Sequence, residues 1–78
     1  MNNTRGTCTA AIGSMTAAVG ARRALSANGI ESEIVALAPE QTRRGCAWGV
    51  EFDATVERAA RATLHRAGIS VSQYIKGA

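Results

Sequence analysis

The sequence predicts an α+β domain in which a four-stranded antiparallel sheet carries two helices on one face. Three observations lead there. Two stretches with apolar residues at helical spacing, 15–27 and 54–67, are each flanked by stretches with a two-residue apolar period. Both helical stretches stop at the same dipeptide, Gly29-Ile30 and Gly68-Ile69, just ahead of a strand. Between them lie two strands in succession, 31–38 and 46–52, separated by a loop that begins at the only proline, Pro39. The order β-α-β-β-α-β closes most compactly as the ferredoxin-like arrangement. Right-handed crossovers leave a gap between the first and second strands, which the third fills.

Each element has a local cause. Residues 4–12 form a first strand of small and β-branched residues, with Cys8, Ala10 and Ile12 on one face and Thr7, Thr9 and Ala11 on the other. Gly13-Ser14 breaks it, and Ser14 is a helix N-cap whose hydroxyl accepts from the first turn. Ala18, Ala21 and Leu25 make the apolar stripe of helix 15–27, with Ala17 and Ala24 alongside and Arg22 and Arg23 at the wet edge. In the second strand Ile34, Ala36 and Ala38 face one way, Val35 and Leu37 the other. Cys46, Trp48, Val50 and Phe52 alternate with Ala47, Gly49 and Glu51 in the third, which places Trp48 as the largest core side chain. Asp53 caps the second helix, 54–67, whose apolar side is Val56, Ala60, Thr63, Leu64 and Ala67, with Arg58, Arg61 and Arg66 exposed. The last strand, 69–75, is expected to turn Ile69, Val71 and Ile75 to the core.

At 78 residues the chain makes one domain, 1–78, with 1–3 expected as a disordered tail. Much of its apolar content is Ala, and only Trp48, Phe52 and Tyr74 are aromatic, so a lightly packed two-layer core is expected. No apolar run approaches the ~18–20 residues of a membrane span, and the polar start lacks a secretion-signal profile. The expected location is the cytoplasm, where the two cysteines stay thiols. One His and two widely spaced Cys give no zinc-ligand spacing, so neither metal nor organic cofactor is expected. The net charge of +3 is spread over both helices and the central loop and reads as a solvated surface.

The stretch Arg43-Arg44-Gly45-Cys46-Ala47-Trp48 concentrates what chemistry the chain has. The third strand runs opposite to the first, so its opening lies beside the start of the first helix, near Gly13, Ser14 and Met15. Unsatisfied amides and the positive end of the helix dipole gather there. Arg43 and Arg44 add charge from the loop. Each effect favours thiolate over thiol at Cys46, and backbone amides at a helix start can hold an anion such as a persulfide. Trp48 would wall the approach. Cys8 lies several residues along the first strand, at ~3.3 Å per residue, beyond the ~7 Å reach of a disulfide to Cys46. It reads as a small buried apolar residue.

Taken together, the strand ending near Ser14, the Ala-rich helix to Ala27-Asn28-Gly29-Ile30, the Pro39 loop, Cys46 opening an apolar strand that finishes at Phe52, and the Ala67-Gly68-Ile69 ending resemble a family of short bacterial proteins of unknown function. These are described as selenium/sulfur carrier-like. The resemblance covers nearly the whole chain. It implies Cys46 as the carrier residue and a cysteine desulfurase or a selenium-handling enzyme as partner. In that family small polar residues commonly precede the cysteine and Gly follows; here Arg44-Gly45 precede and Ala47 follows.

Two other classes stay open. One is a noncatalytic interaction subunit, homodimeric through the open sheet face of Thr7, Thr9, Ala47, Gly49, Ser70 and Ser72, with Cys46 structural. The other is RNA binding, since the stretch from Arg44 to Phe52 resembles an RNA-recognition signature on the third strand. One extra position around Gly49 sends the aromatics to the helix side and leaves Ala47, Gly49 and Glu51 on the open face. Nucleic acid is therefore not the expected partner.

Overall fold

The structure is a computed structural model and describes residues 6–41 and 47–77. It has the expected architecture: β1 (Thr7–Gly13), α1 (Met15–Ala27), β2 (Glu33–Ala36), β3 (Trp48–Asp53), α2 (Glu57–Arg66) and β4 (Gln73–Lys76), with 3-10 turns at Pro39–Gln41 and Ala54–Val56. The four strands form one antiparallel sheet in the order β2-β3-β1-β4, so β3 fills the gap between β1 and β2. Among the described residues no helix is long and apolar enough to cross a membrane.

Strand register sorts the side chains. Cys8 stands opposite Phe52 and Ala10 opposite Val50, and Ile34 opposite Val50 extends that row onto β2. Ala18, Ala21 and Leu25 of α1 and Ala60 and Leu64 of α2 pack on the same face and complete the core. Both helices thus cover one side of the sheet. The largest fully buried side chains are Leu25, Leu64, Val50 and Cys8, and burying a residue of leucine size is worth about 1.5–3 kcal/mol. Trp48 is only half-buried and packs on the rim of this core, not at its centre.

Both helices end by one device. After α1, Gly29 N–H donates to the Ser26 carbonyl and Ile30 N–H to Leu25. After α2, Gly68 donates to His65 and Ile69 to Leu64. This is the Schellman pattern, which needs the left-handed backbone that Gly29 (φ +77°) and Gly68 (φ +75°) supply. Ile30 and Ile69 then fold back onto the core beside Leu25 and Leu64. The shared Gly-Ile step in the sequence is this motif used twice.

Several boundaries and faces differ from expectation. The first strand as described begins at Thr7: Gly6 is coil, and Thr4 and Arg5 lie outside the described residues. Strand β2 is four residues long, and β3 is assigned from Trp48. Asp53 does cap, accepting from Thr55 N–H at 2.8 Å, but it caps the 3-10 turn, and α2 proper starts at Glu57. Ala67 follows the helix and is exposed. The clearest correction concerns β4. Ser72 N–H and its Oγ both bond to the Ala11 carbonyl, at 2.9 and 3.3 Å, and pin the chain before the ladder starts. From there Tyr74 pairs with Ala10 and faces the helices, whereas Ile75 pairs with Thr9 and faces away. Ile69 and Val71 still pack on the core, without belonging to a strand. The larger apolar body, Tyr74, takes the covered face.

The face without helices carries Thr9, Ala11, Val35, Gly49 and Glu51, joined by Gln73 and Ile75; Ser70 and Ser72 precede the strand. Thr9 (8% exposed) and Ala11 (0%) are nevertheless sealed. Leu37 leans over Gly49: a Cβ there would sit 3.1 Å from Leu37 Cδ1 and 3.1 Å from Thr9 Cγ2.

Candidate functional site

The described part of the expected corner lies where β1 hands over to α1. Gly13 pairs with Trp48 across the β1–β3 ladder, and Ile12 is the extra residue of a bulge there. Ser14 and Met15 follow directly. The side chain of Ser14 accepts from Ala17 N–H at 3.1 Å and its carbonyl from Ala18 N–H at 3.0 Å, which fixes the helix start. On the far side of Trp48 stands Ala36 of β2, and Leu37 N–H donates to the Ala47 carbonyl at 2.8 Å. Gly13, Ser14, Met15 and Trp48 are thus brought to one corner. Cys46, Arg43 and Arg44 lie outside the described residues.

The corner holds an exposed, capped helix start. The amides of Met15 and Thr16 head α1, where helix geometry provides no internal acceptor and the dipole is positive. Ser14 is exposed and Met15 is 50% exposed, an uncommon state for a large apolar side chain here. Trp48 beside it is half-buried and packs against the core.

Cys8 is different in every respect. It is fully buried, a free thiol in the middle of the sheet opposite Phe52 and Lys76. Burial, then the charge of Glu57, pushes its thiol up from the ordinary value, away from the nucleophilic form.

Two features were not foreseen. Glu57 pairs with Arg61 at 2.7 Å and Lys76 at 3.0 Å, and the Arg61 guanidinium lies 4.1 Å above the Tyr74 ring, so α2 is tied to β4. Lys76 and then Arg61 hold the Glu57 carboxyl below the usual carboxylate range. Burial pushes the Tyr74 hydroxyl up. The second feature is an open groove of about 850 Å3 between the latter half of α1 and the β2 and β3 ends, lined by Arg22, Arg23, Glu33 and Glu51. It lies at the end of the sheet opposite the Ser14 corner. The like parity of Glu33 and Glu51 on successive strands was the one signal in the sequence. His65 is exposed on α2.

Among the described residues no group of His, Cys, Asp and Glu is arranged to hold a metal ion. No family model, curated protein or solved structure matches the chain.

Proposed function

We propose that the protein carries sulfur or selenium covalently on Cys46, as a persulfide or selenopersulfide passed between partner proteins. The observation that supports this is the Gly13–Trp48 pairing. It sets the opening of β3, two positions after Cys46 in sequence, against the capped start of α1. In the transfer, the Cys46 thiolate attacks the terminal sulfur of a donor persulfide. The new bond joins Cys46 Sγ to that sulfur, the donor S–S bond breaks, and the donor leaves as a thiolate. No outside oxidant is needed. The helix-start amides of Met15 and Thr16 stabilise the resulting anion, with Arg43 and Arg44 as further positive charge and Trp48 limiting access. A cysteine desulfurase or a selenium-handling enzyme is the donor class. The protein acts as a carrier and not as a turnover enzyme, in the cytoplasm.

The test is incubation with a cysteine desulfurase and cysteine, followed by intact mass. One added sulfur is expected, lost in Cys46→Ser and kept in Cys8→Ser. No adduct, or one indifferent to Cys46→Ser, overturns the reading.

A second reading has its own observation. The helix-free face presents half-buried Val35, Leu37 and Ile75 over sealed Ala11 and Gly49, a surface suited to a second copy of the chain. In that case the protein is an interaction subunit with a structural Cys46. Sedimentation separates the two, since a dimer weakened by Leu37→Asp and a Cys46 without adduct would favour it.

A further inference from the structure

The helix-free face departs from the polar surface that an antiparallel sheet ordinarily turns to water. Val35 and Leu37 on the β2 side and Ile75 of β4 stand on it half-buried, and Thr9, Ala11 and Gly49 between them are sealed. In the order β2-β3-β1-β4 the outer strands lie three spacings apart, about 14 Å. That is close to the width of a helix with its side chains, about 10–12 Å.

The charge on this face is of one sign. Glu33 and Glu51 stand directly opposite each other in the β2–β3 ladder, and Glu51 shares a row with Thr9 and Ile75. Like charges so placed weaken a sheet. Among the described residues the ion pairs are those of Glu57, and neither Glu33 nor Glu51 takes part in one. Asp53, two residues beyond Glu51, is engaged with Thr55. The described strands hold one cation, Lys76, which stands opposite Cys8 on the helix side and pairs with Glu57. Arg22 and Arg23 belong to α1 and so to the other side of the sheet.

We propose that this face docks a basic amphipathic helix of another protein. Its apolar stripe lies on Val35, Leu37 and Ile75, with a Lys or Arg over Glu33 and Glu51. The sheet then has helices on both sides, one of the stable ways to cover two apolar faces. The partner's cation offsets the repulsion of the two carboxylates and gives each a charge-assisted hydrogen bond. A second copy of the chain fits less well, because the described strands bring no cation to this face. Two carboxylate pairs would then lose water without compensation. Docking here does not depend on sulfur carriage by Cys46.

The test is an amide-shift NMR titration of the full chain with an amphipathic Leu/Lys helix peptide of about five turns. A Leu/Glu counterpart, and a Leu/Lys peptide of equal composition without a single apolar side, are the comparisons. Saturable shifts are expected across residues 9–11, 33–37, 49–51 and 73–75, weakening as salt rises. The Leu/Glu peptide should not bind, and the unpatterned one should bind about tenfold more weakly. Glu33→Gln and Glu51→Gln each relieve the like-charge pair. Both should fold at least as well as the parent yet lose about tenfold in affinity. The absence of saturable shifts, shifts centred on α1 and α2, or Gln variants that bind as tightly as the parent overturns the proposal. So does a dimer through this face in sedimentation, which assigns it to a second copy.

Discussion

Gly13 faces Trp48 across the β1–β3 ladder, and the extra residue Ile12 bulges the strand beside them. A bulge at a strand end re-aims the chain that follows. Here it delivers Ser14 to the head of α1 with its hydroxyl toward Ala17. The hairpin mouth and the helix start meet because of this pairing.

Removing the cap tests how much of that meeting Ser14 secures. Ser14→Ala should cost about 1 kcal/mol, while Ser14→Asp should retain the helix start. Urea denaturation of the three proteins gives the comparison. A loss near zero for Ser14→Ala would mean that the Ala17 bond adds nothing to stability.

Gly49 is held small by its surroundings. An added Cβ would come within 2.6 Å of the Ala10 carbonyl oxygen, a backbone atom that cannot swing aside. Gly49→Ala should therefore destabilise by about 1–3 kcal/mol, read from the denaturation midpoint. An unchanged midpoint would show that β1 and β3 can part locally without cost.

Truncation at the α2–core contact should be severe. Leu64 is fully buried, and Leu64→Ala should cost about 2–5 kcal/mol. For 78 residues a total stability of roughly 4–12 kcal/mol is ordinary, so circular dichroism should detect partial or complete unfolding. Native-like melting of this variant would argue against α2 packing as described.

The two thiols should separate in labelling. Cys8 is buried and its thiol is pushed up, so a thiol reagent should leave it untouched in native protein and reach it in denaturant. In Cys46→Ser protein the native reaction should vanish. Fast native labelling of that variant would place Cys8 within reach of solvent.

Glu57 gives the fold an acid limb. Its carboxyl is held low by Lys76 and Arg61, so the stabilisation is present above the ordinary value of 4.5 and fades as pH falls through the lower folded value. Glu57→Gln should flatten thermal stability against pH in that acidic range. An identical acid limb in the variant would assign it to other carboxylates.

What the sequence made legible follows from how local each cause is. Helix α1 has the expected limits because Ser14 and Gly29 act within a turn of its ends. That the opening of β3 lies beside the close of β1, as in the Gly13–Trp48 pair, was readable because antiparallel topology alone brings them together, whereas the expected place of Cys46 there lies outside the described residues. Strand β4 was misread since its parity is set from 61 positions away, by the Ser72–Ala11 bonds, and not by the alternation of Ile69, Val71 and Ile75. The groove was hidden for a similar reason: its walls join α1 to residues distant in sequence. Glu57, Arg61 and Lys76 looked like separate surface charges because only packing brings β4 alongside α2.

The outermost strands, β2 and β4, are only four residues long. Each rim of the sheet therefore offers few open hydrogen-bonding groups to a passing chain, and the rim along β2 also presents the carboxylate of Glu33. Brief, charged borders are how sheets resist being extended by neighbours. At high concentration this protein should accordingly stay free of fibrils, with lateral polymerisation blocked at both borders.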